Sequence, residues 1–216
     1  DFACNYLNSC RKNGVLFTNG DNDTYPLWYA QEVEGIRTDV RVANLSYLRA
    51  GWYLEQMTRK AYDSDPLPFT HTSKQLGKGS REVLPIYNRV ENRVSIKRVM
   101  DFVANESEQT QIQSPFNREE QIHYIPSDKF SLAIDKDHVI SKGVVPAGQK
   151  EQIVDEMQWN INRNYVLKDG LCILDLLATG NWERPIHFAV TVGSDKFFNL
   201  DKYFQVEGLA YHLTPV

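Results

Sequence analysis

An α/β fold with a Rossmann-like three-layer core, a mostly parallel sheet and an inserted antiparallel β section is predicted by three features of the sequence. Val15-Leu16-Phe17 is a short apolar run of the kind buried on both faces of a sheet, and Val40-Arg41-Val42-Ala43-Asn44-Leu45 is a second. A helical stretch lies between them, and strand, helix and strand in that space make a parallel, right-handed βαβ unit. Helix and strand then return near the end of the chain, at Leu171 to Ala178 and at residues 185–192.

The first strand leads into Asn19-Gly20-Asp21-Asn22-Asp23-Thr24. Gly20 permits a turn, and Asp21, Asn22, Asp23 and Thr24 are turn and N-cap residues. Pro26 fits a first helical turn, where its missing N–H costs nothing. Leu27, Trp28, Ala30 and Val33 continue the helix, and Gly35 stops it. The loops at the carboxyl ends of parallel strands are where α/β folds place their sites. Here they carry Asn19, Asp21, Asn22, Asp23 and, from the second strand, Asn44. Asp21 and Asp23 offer hard oxygen ligands for Mg²⁺ or Mn²⁺, in an Asp-x-Asp pattern like that with which many glycosyltransferases hold a metal and a nucleotide-sugar. The plainer reading carries equal weight: the carboxylates cap the helix and face its positive end.

The other elements follow from periodicity. Phe2, Ala3, Tyr6, Leu7 and Cys10 form a helical stripe. Residues 51–60 read as a helix with Trp52, Tyr53, Leu54 and Met57 on its apolar side. Residues 61–88, rich in Pro, Ser, Thr and Gly, read as an irregular surface excursion. Ser95 is placed to cap a helix carrying Ile96, Val99, Met100 and Val103. Residues 105–121 are polar and read as poorly ordered. Residues 122–125 and 130–134 read as two strands joined by a hairpin turn at Pro126-Ser127-Asp128-Lys129. Asp135 caps a short helical turn through Val139, and alternating Met157, Trp159 and Ile161 form a half-buried strand. The section from about 110 to 165 is therefore the inserted antiparallel part. Asp169 caps the late helix and Gly180-Asn181 ends it. The strand of residues 185–192 runs to Gly193. Residues 197–204 are an aromatic helix or turn, and residues 209–216 a final strand.

The chain has 216 residues, enough for the one domain this pattern describes. A net charge of −4 without any basic run argues against a nucleic-acid partner. No apolar run approaches the ~20 residues that span a bilayer. The chain starts inside a helical pattern and reads as an excised piece of a larger protein. Cys4, Cys10 and Cys172 match no metal spacing, and Cys4 and Cys10 point in different directions along one helix. The four tryptophans, Trp28, Trp52, Trp159 and Trp182, fit core positions, or sugar-stacking platforms if exposed. The dispersed histidines have no close ligand partners, and His187 reads as a satisfied interior histidine.

Two further segments are candidates for chemistry. Asn181-Trp182-Glu183-Arg184-Pro185 lies at the amino end of the late strand, with Trp182 packing and Arg184 paired to a carboxylate as its structural reading. Gly193-Ser194-Asp195 lies at the carboxyl end, where Ser194 and Asp195 could complete a pocket beside Asp21. No P-loop, nucleophile elbow or Gly-x-Gly-x-x-Gly fingerprint is present.

The run Phe17-Thr18-Asn19-Gly20-Asp21-Asn22-Asp23-Thr24-Tyr25-Pro26-Leu27-Trp28, continuing through Gly35-Ile36-Arg37-Thr38-Asp39-Val40, resembles the signature of a family of large bacterial multi-pass membrane proteins, long catalogued only as a domain of unknown function. That family is related to the eukaryotic endoplasmic-reticulum protein O-mannosyltransferase that modifies plexin-type receptors. Asn44-Leu45-Ser46, Leu174-Asp175-Leu176-Leu177-Ala178, Asn181-Trp182-Glu183-Arg184-Pro185-Ile186 and Glu207-Gly208-Leu209-Ala210-Tyr211 extend the likeness along the chain. The resemblance implies a parent with a membrane domain of the GT-C glycosyltransferase type, whose catalytic acidic residue lies in that membrane domain. This chain would then be an extracytoplasmic accessory domain, periplasmic in a diderm bacterium. Its partners would be the membrane domain of its own parent and an acceptor protein or glycan. No catalytic residue carries over. The alternatives are an independent enzyme that holds a sugar phosphate through a metal on Asp21 and Asp23, and a purely structural module.

Overall fold

β1 (Val15–Thr18), the strand the apolar run predicts, is buried along its whole length. The computed structural model describes residues 1–115, 117 and 119–216. Around β1 the order of elements is α1 (Phe2–Asn8), α2 (Asp21–Glu32), β2 (Arg41–Asn44), α3 (Gly51–Met57), β3 (Val83–Pro85), β4 (Val94–Ser95), α4 (Ile96–Ala104), β5 (Gln111–Gln113), β6 (Gln121–His123), β7 (Lys129–Ala133), α5 (Lys136–Ser141), β8 (Glu156–Asn160), β9 (Tyr165–Leu167), α6 (Lys168–Thr179), β10 (Ile186–Ala189), β11 (Phe204–Glu207) and β12 (Ala210–Leu213). The fold is mixed α/β. The main sheet has strand order β11-β12-β10-β1-β2. β1 pairs in parallel with β2 and with β10, as the two predicted strand–helix repeats require.

The sheet is mixed, however, and not mostly parallel. β12 runs antiparallel to β10, and β11 antiparallel to β12. The hairpin joining β11 and β12 turns on Gly208, whose φ is +58°, and Ser9 fills the space a side chain there would need. A glycine at the first central position is what a tight hairpin turn demands. That signal falls between residues 197–204 and 209–216, which read from sequence as an aromatic helix or turn and a lone strand.

The strands of residues 110–165 pair differently from the expectation, and not all of them antiparallel. β6 joins β5, while β7 lies between β4, in parallel, and β8, antiparallel. Residues 126–129 therefore connect two sheets and do not form a hairpin. β8 buries Met157 and Trp159 and exposes the residues between, as its alternation predicts. Residues 105–121 hold β5 and a short helical turn; Phe116 and Arg118 of that stretch lie outside the described residues. Residues 61–88 also contain an element, β3, which pairs with β9, and they place Leu67, Leu76 and Leu84 in the core.

Helix boundaries show how local rules give way. Asp135 caps α5 by accepting from the His138 N–H at 3.0 Å. α4 buries Ile96, Val99, Met100 and Val103, the predicted stripe, although the Ser95 side chain makes no capping bond. α6 starts at Lys168, so Asp169 lies within its first turn and pairs with Lys196 at 2.6 Å. Its far end takes the left-handed conformation at Asn181 and Trp182, not at Gly180. α6 is buried on all sides from Lys168 to Ala178, because the excursion of residues 61–88 covers what would be its solvent face. One large apolar cluster runs from Tyr6 to Leu213, and a small satellite gathers Val139, Val144, Val145 and Ile153. The three cysteines are free thiols, and burial pushes the Cys10 thiol up to about 12.

Two arginines, Arg37 half-buried and Arg184 buried, join these parts. Arg37 donates to the carbonyls of Leu7, Cys10 and Arg11, closing the exposed carbonyl end of α1. Arg184 donates to the carbonyls of Asn13, Gly14 and Asp65 and to Ser64 Oγ. Among the described residues it pairs with no carboxylate, in contrast to the expectation for the Asn-Trp-Glu-Arg-Pro segment. That segment does lie at the amino end of β10, as predicted.

Candidate functional site

The acidic loop follows β1 as expected, but the helix begins earlier than the cap residues suggest. Gly20 is the N-cap, and Asp21, Asn22 and Asp23 are the first three helical residues. Asp23 is 4 % exposed. Its Oδ1 accepts from the Gly20 N–H at 3.1 Å, and its Oδ2 accepts from the Thr191 hydroxyl at 2.6 Å. This is the reaching-back half of a capping box, with a tertiary bond added. Asn44 is buried beside it. Its Nδ2 donates to Thr24 Oγ1 at 2.9 Å and its Oδ1 accepts from the Tyr47 N–H at 3.1 Å. Thr24 and Thr18 hydroxyls share a bond of 2.7 Å.

Asp21 and Asn22 are exposed. A shallow groove of about 280 Å³ is lined by Asn19, Asn22, Asp23, Gly20, Phe2 and Thr191. Ser194 and Asp195 do not line it. They sit in an exposed turn, where the Asp195 carbonyl accepts from Arg163. β10 is shorter than predicted: the chain turns at Val190, and the turn brings Thr191 to Asp23. Pro26 falls inside α2 and not in its first turn, so the carbonyl of exposed Asn22 has no N–H at the next turn.

A second site stands on the other side of α2. A cleft of about 340 Å³ opens between α2 and α3 above the edge strand β2. Its walls are Trp28, Trp52, Tyr53 and Tyr62, with Gln31, Glu32, Gln56 and Arg41 among the polar groups. Trp52 and Tyr62 are each 59 % exposed. Trp52 therefore leaves the core stripe of α3 that Tyr53, Leu54 and Met57 form. Trp159 is buried as expected, and Trp28 is partly buried.

The cleft is rigidly backed. Trp28 stacks on Tyr47 at 6.0 Å between ring centroids, Trp52 meets Tyr53 edge to face at 5.6 Å, and the Tyr25 and Tyr47 hydroxyls bond at 2.7 Å. Such aromatic contacts contribute roughly 0.5–1.5 kcal/mol each beyond area burial. The Tyr53 hydroxyl accepts from the Asn44 N–H at 3.0 Å and donates to the Val42 carbonyl at 3.2 Å. Gln31 Nε2 donates to the Val40 carbonyl at 2.8 Å. These side chains occupy the free edge of β2, so the cleft floor is not open to strand addition. Burial pushes the Tyr53 phenol up to about 12, which keeps it a neutral hydroxyl. Tyr62 is held by a hydrogen bond to Glu32.

Tyr25, Trp28, Tyr29, Tyr47, Trp52 and Tyr53 are concentrated within one stretch of sequence, and that density is the signal that could have found the cleft. It was hidden because Trp52 falls at helical spacing with core residues.

A family model described as TMEM260-associated domain 2 matches residues 1–216. No curated protein and no solved structure matches the chain. Among the described residues, no helix is long and apolar enough to cross a membrane.

Proposed function

Because the chain belongs to the TMEM260-associated domain 2 family, we propose that it is an accessory domain of a membrane O-mannosyltransferase-like glycosyltransferase and binds a glycan or glycosylated acceptor without turnover of its own. The reading places it on the extracytoplasmic face, periplasmic in a diderm bacterium, beside the GT-C-type membrane domain of its parent. The observation that carries the binding role is the aromatic cleft between α2 and α3. An indole face takes the C–H side of a pyranose, and flanking amides and carboxylates take its hydroxyls. Trp52 supplies the exposed face, and Gln56 and Glu32 supply the polar rim. The cleft volume of about 340 Å³ suits one or two sugar residues.

Titration with methyl α-mannoside and a mannosylated threonine peptide, followed by tryptophan fluorescence, tests this. Saturable quenching is expected, and Trp52→Ala is expected to weaken it about tenfold or more, which corresponds to ~1.4 kcal/mol. Because Trp52 is 59 % exposed, its removal is expected to change stability by no more than about 0.5 kcal/mol. Absence of quenching at millimolar sugar, or quenching that survives Trp52→Ala, would overturn the reading.

The second reading, a metal-dependent sugar-phosphate or nucleotide-sugar enzyme at Asp21 and Asp23, has one feature in its favour, the groove at the carboxyl end of β1. Both Asp23 oxygens already accept hydrogen bonds, so we assign Asp23 to the helix cap. Asp23→Ala is then expected to lower the unfolding free energy by about 1–3 kcal/mol. Millimolar Mg²⁺ or Mn²⁺ is expected to leave the thermal midpoint of the wild-type chain unchanged. A midpoint that rises with either ion, and no longer does so in a folded Asp23→Asn chain, would favour the enzyme.

A further inference from the structure

The far end of the main sheet from β2, at β10, β12 and β11, carries a constellation that the cleft does not use. His187 on β10 stands directly across from His212 on β12, so the two imidazoles share one face of the sheet. On β11, Gln205 pairs with His212, and Glu207 two residues further on lies on the same face. The rings stack with centroids 4.7 Å apart, and Glu207 Oε1 is 3.2 Å from His212 Nδ1. One nitrogen of each imidazole and one Glu207 oxygen all lie within 4.8 Å of one another, the one such triplet among the described residues.

We propose that His187, Glu207 and His212 form a binding site for a divalent transition-metal ion of the Zn²⁺ type. Two imidazoles and one carboxylate are a zinc donor set that leaves a fourth position open, whereas Mg²⁺ and Ca²⁺ prefer oxygen alone. Ligand atoms at 2.0–2.1 Å from a tetrahedral ion stand roughly 3.4 Å apart. His212 and Glu207 already have that separation, so only the His187 ring must move closer, by turning out of the stack.

The surroundings match what oriented metal ligands have. His187 Nδ1 lies 3.3 Å from the Val15 carbonyl, and donating there leaves the lone pair on Nε2. That lone pair accepts only the Arg11 backbone N–H, at 3.3 Å. Arg11 Nη2 donates to Glu207 Oε1 at 2.6 Å, and its Nε lies 3.2 Å from both carboxylate oxygens. The guanidinium is partly exposed, and binding of the ion requires it to shift onto Oε2 and release Oε1. His212 is fully buried, and its Nδ1 is the nitrogen that faces Glu207 Oε1. An open groove bordered by Ser9, Cys10, Arg11, Glu207 and Gly208 reaches the carboxylate from solvent and gives the ion its entry path. Arg11 on that path favours an anionic fourth ligand.

The test is titration of the metal-free chain with Co²⁺, read by visible absorption, followed by displacement with Zn²⁺. One equivalent is expected to give the intense spectrum of a four-coordinate ion, and Zn²⁺ is expected to bleach it and to raise the thermal midpoint. Glu207→Gln and His212→Asn are each expected to weaken binding at least tenfold. Glu207 is partly exposed, so its variant keeps the test decisive if the buried histidine variant does not fold. No saturable binding to the folded wild type would overturn the site. So would binding that persists in Glu207→Gln but disappears in His138→Ala, because His138 is a surface histidine close to Glu183.

Discussion

Arg184→Met is expected to lower the unfolding free energy by about 3–5 kcal/mol, on the scale of breaking a buried, hydrogen-bonded charge site. Arg184 is 5 % exposed. Its Nε donates to the Asn13 carbonyl at 2.8 Å, and its Nη2 donates to Ser64 Oγ at 2.9 Å and to the Gly14 carbonyl at 3.2 Å. A third arm reaches the Asp65 carbonyl. The side chain therefore ties the entry to β1 to the turn at residues 61–65, next to the start of β10. Methionine fills the volume, leaves the Asn13 carbonyl without a donor, and leaves the Gly14 and Asp65 carbonyls and Ser64 Oγ with only their bonds from Arg41. One effect opposes the loss. Arg41 also donates to Ser64, at 3.2 Å to its Oγ, and the two cations repel. Burial, and then Arg41, lower the Arg184 pKa to about 10. Relief of that repulsion is small beside the lost bonds, because the cation remains charged at neutral pH. Arg184→Lys keeps the charge but not the planar fork, and is expected to lose most of the same stability. Urea unfolding midpoints at constant m-value measure both. A loss under about 1 kcal/mol for Arg184→Met would show that the network is incidental.

Asp175→Ala is expected to cost a similar amount, about 3–5 kcal/mol, since it removes the acceptor of three donors at once, two of them buried. Oδ1 accepts from the Thr70 N–H at 3.0 Å, and Oδ2 accepts from the His71 N–H at 3.2 Å and stands 2.8 Å from His71 Nδ1. Thr179, one turn along α6, adds a bond of 2.6 Å to the Pro68 carbonyl. Together they fasten the proline-rich excursion onto the central helix. Asp175→Asn keeps an acceptor oxygen and is expected to lose about half as much. Amide hydrogen exchange at Thr70 and His71 gives the local readout: both amides lose protection in Asp175→Ala, while amides of β1 change only as global stability changes. Unchanged protection at Thr70 and His71 would refute the anchoring role.

Both residues lie in segments singled out from sequence, and in neither was the role legible. Leu174-Asp175-Leu176 reads as a polar interruption of an apolar helix, and nothing nearby in sequence shows that residues 70 and 71 cover it. Arg184 reads as one half of an ion pair, because a lone arginine near strands usually finds a carboxylate. A guanidinium holding backbone carbonyls becomes visible only when three distant segments converge on it. The acidic loop is the converse case. Its position after β1 and its turn chemistry were legible, but whether Asp23 faces a ligand or its own helix depended on Thr191, 168 residues further along.

By itself, the sequence determined the elements whose signals are local. These are the βαβ unit from β1 to β2, the stripe of α4, the cap of α5, the alternation of β8, and the helix and strand formed by α6 and β10. Each depends on periodicity or capping within about ten residues, where the backbone geometry leaves few choices. Only the tertiary structure decided the antiparallel hairpin that makes the sheet mixed, the exposure of Trp52 beside a cleft, and the meeting of His187 with His212 and Glu207. Strand pairing and side-chain convergence are contacts between distant segments, and they are set by which surfaces remain to be buried once the local elements have formed.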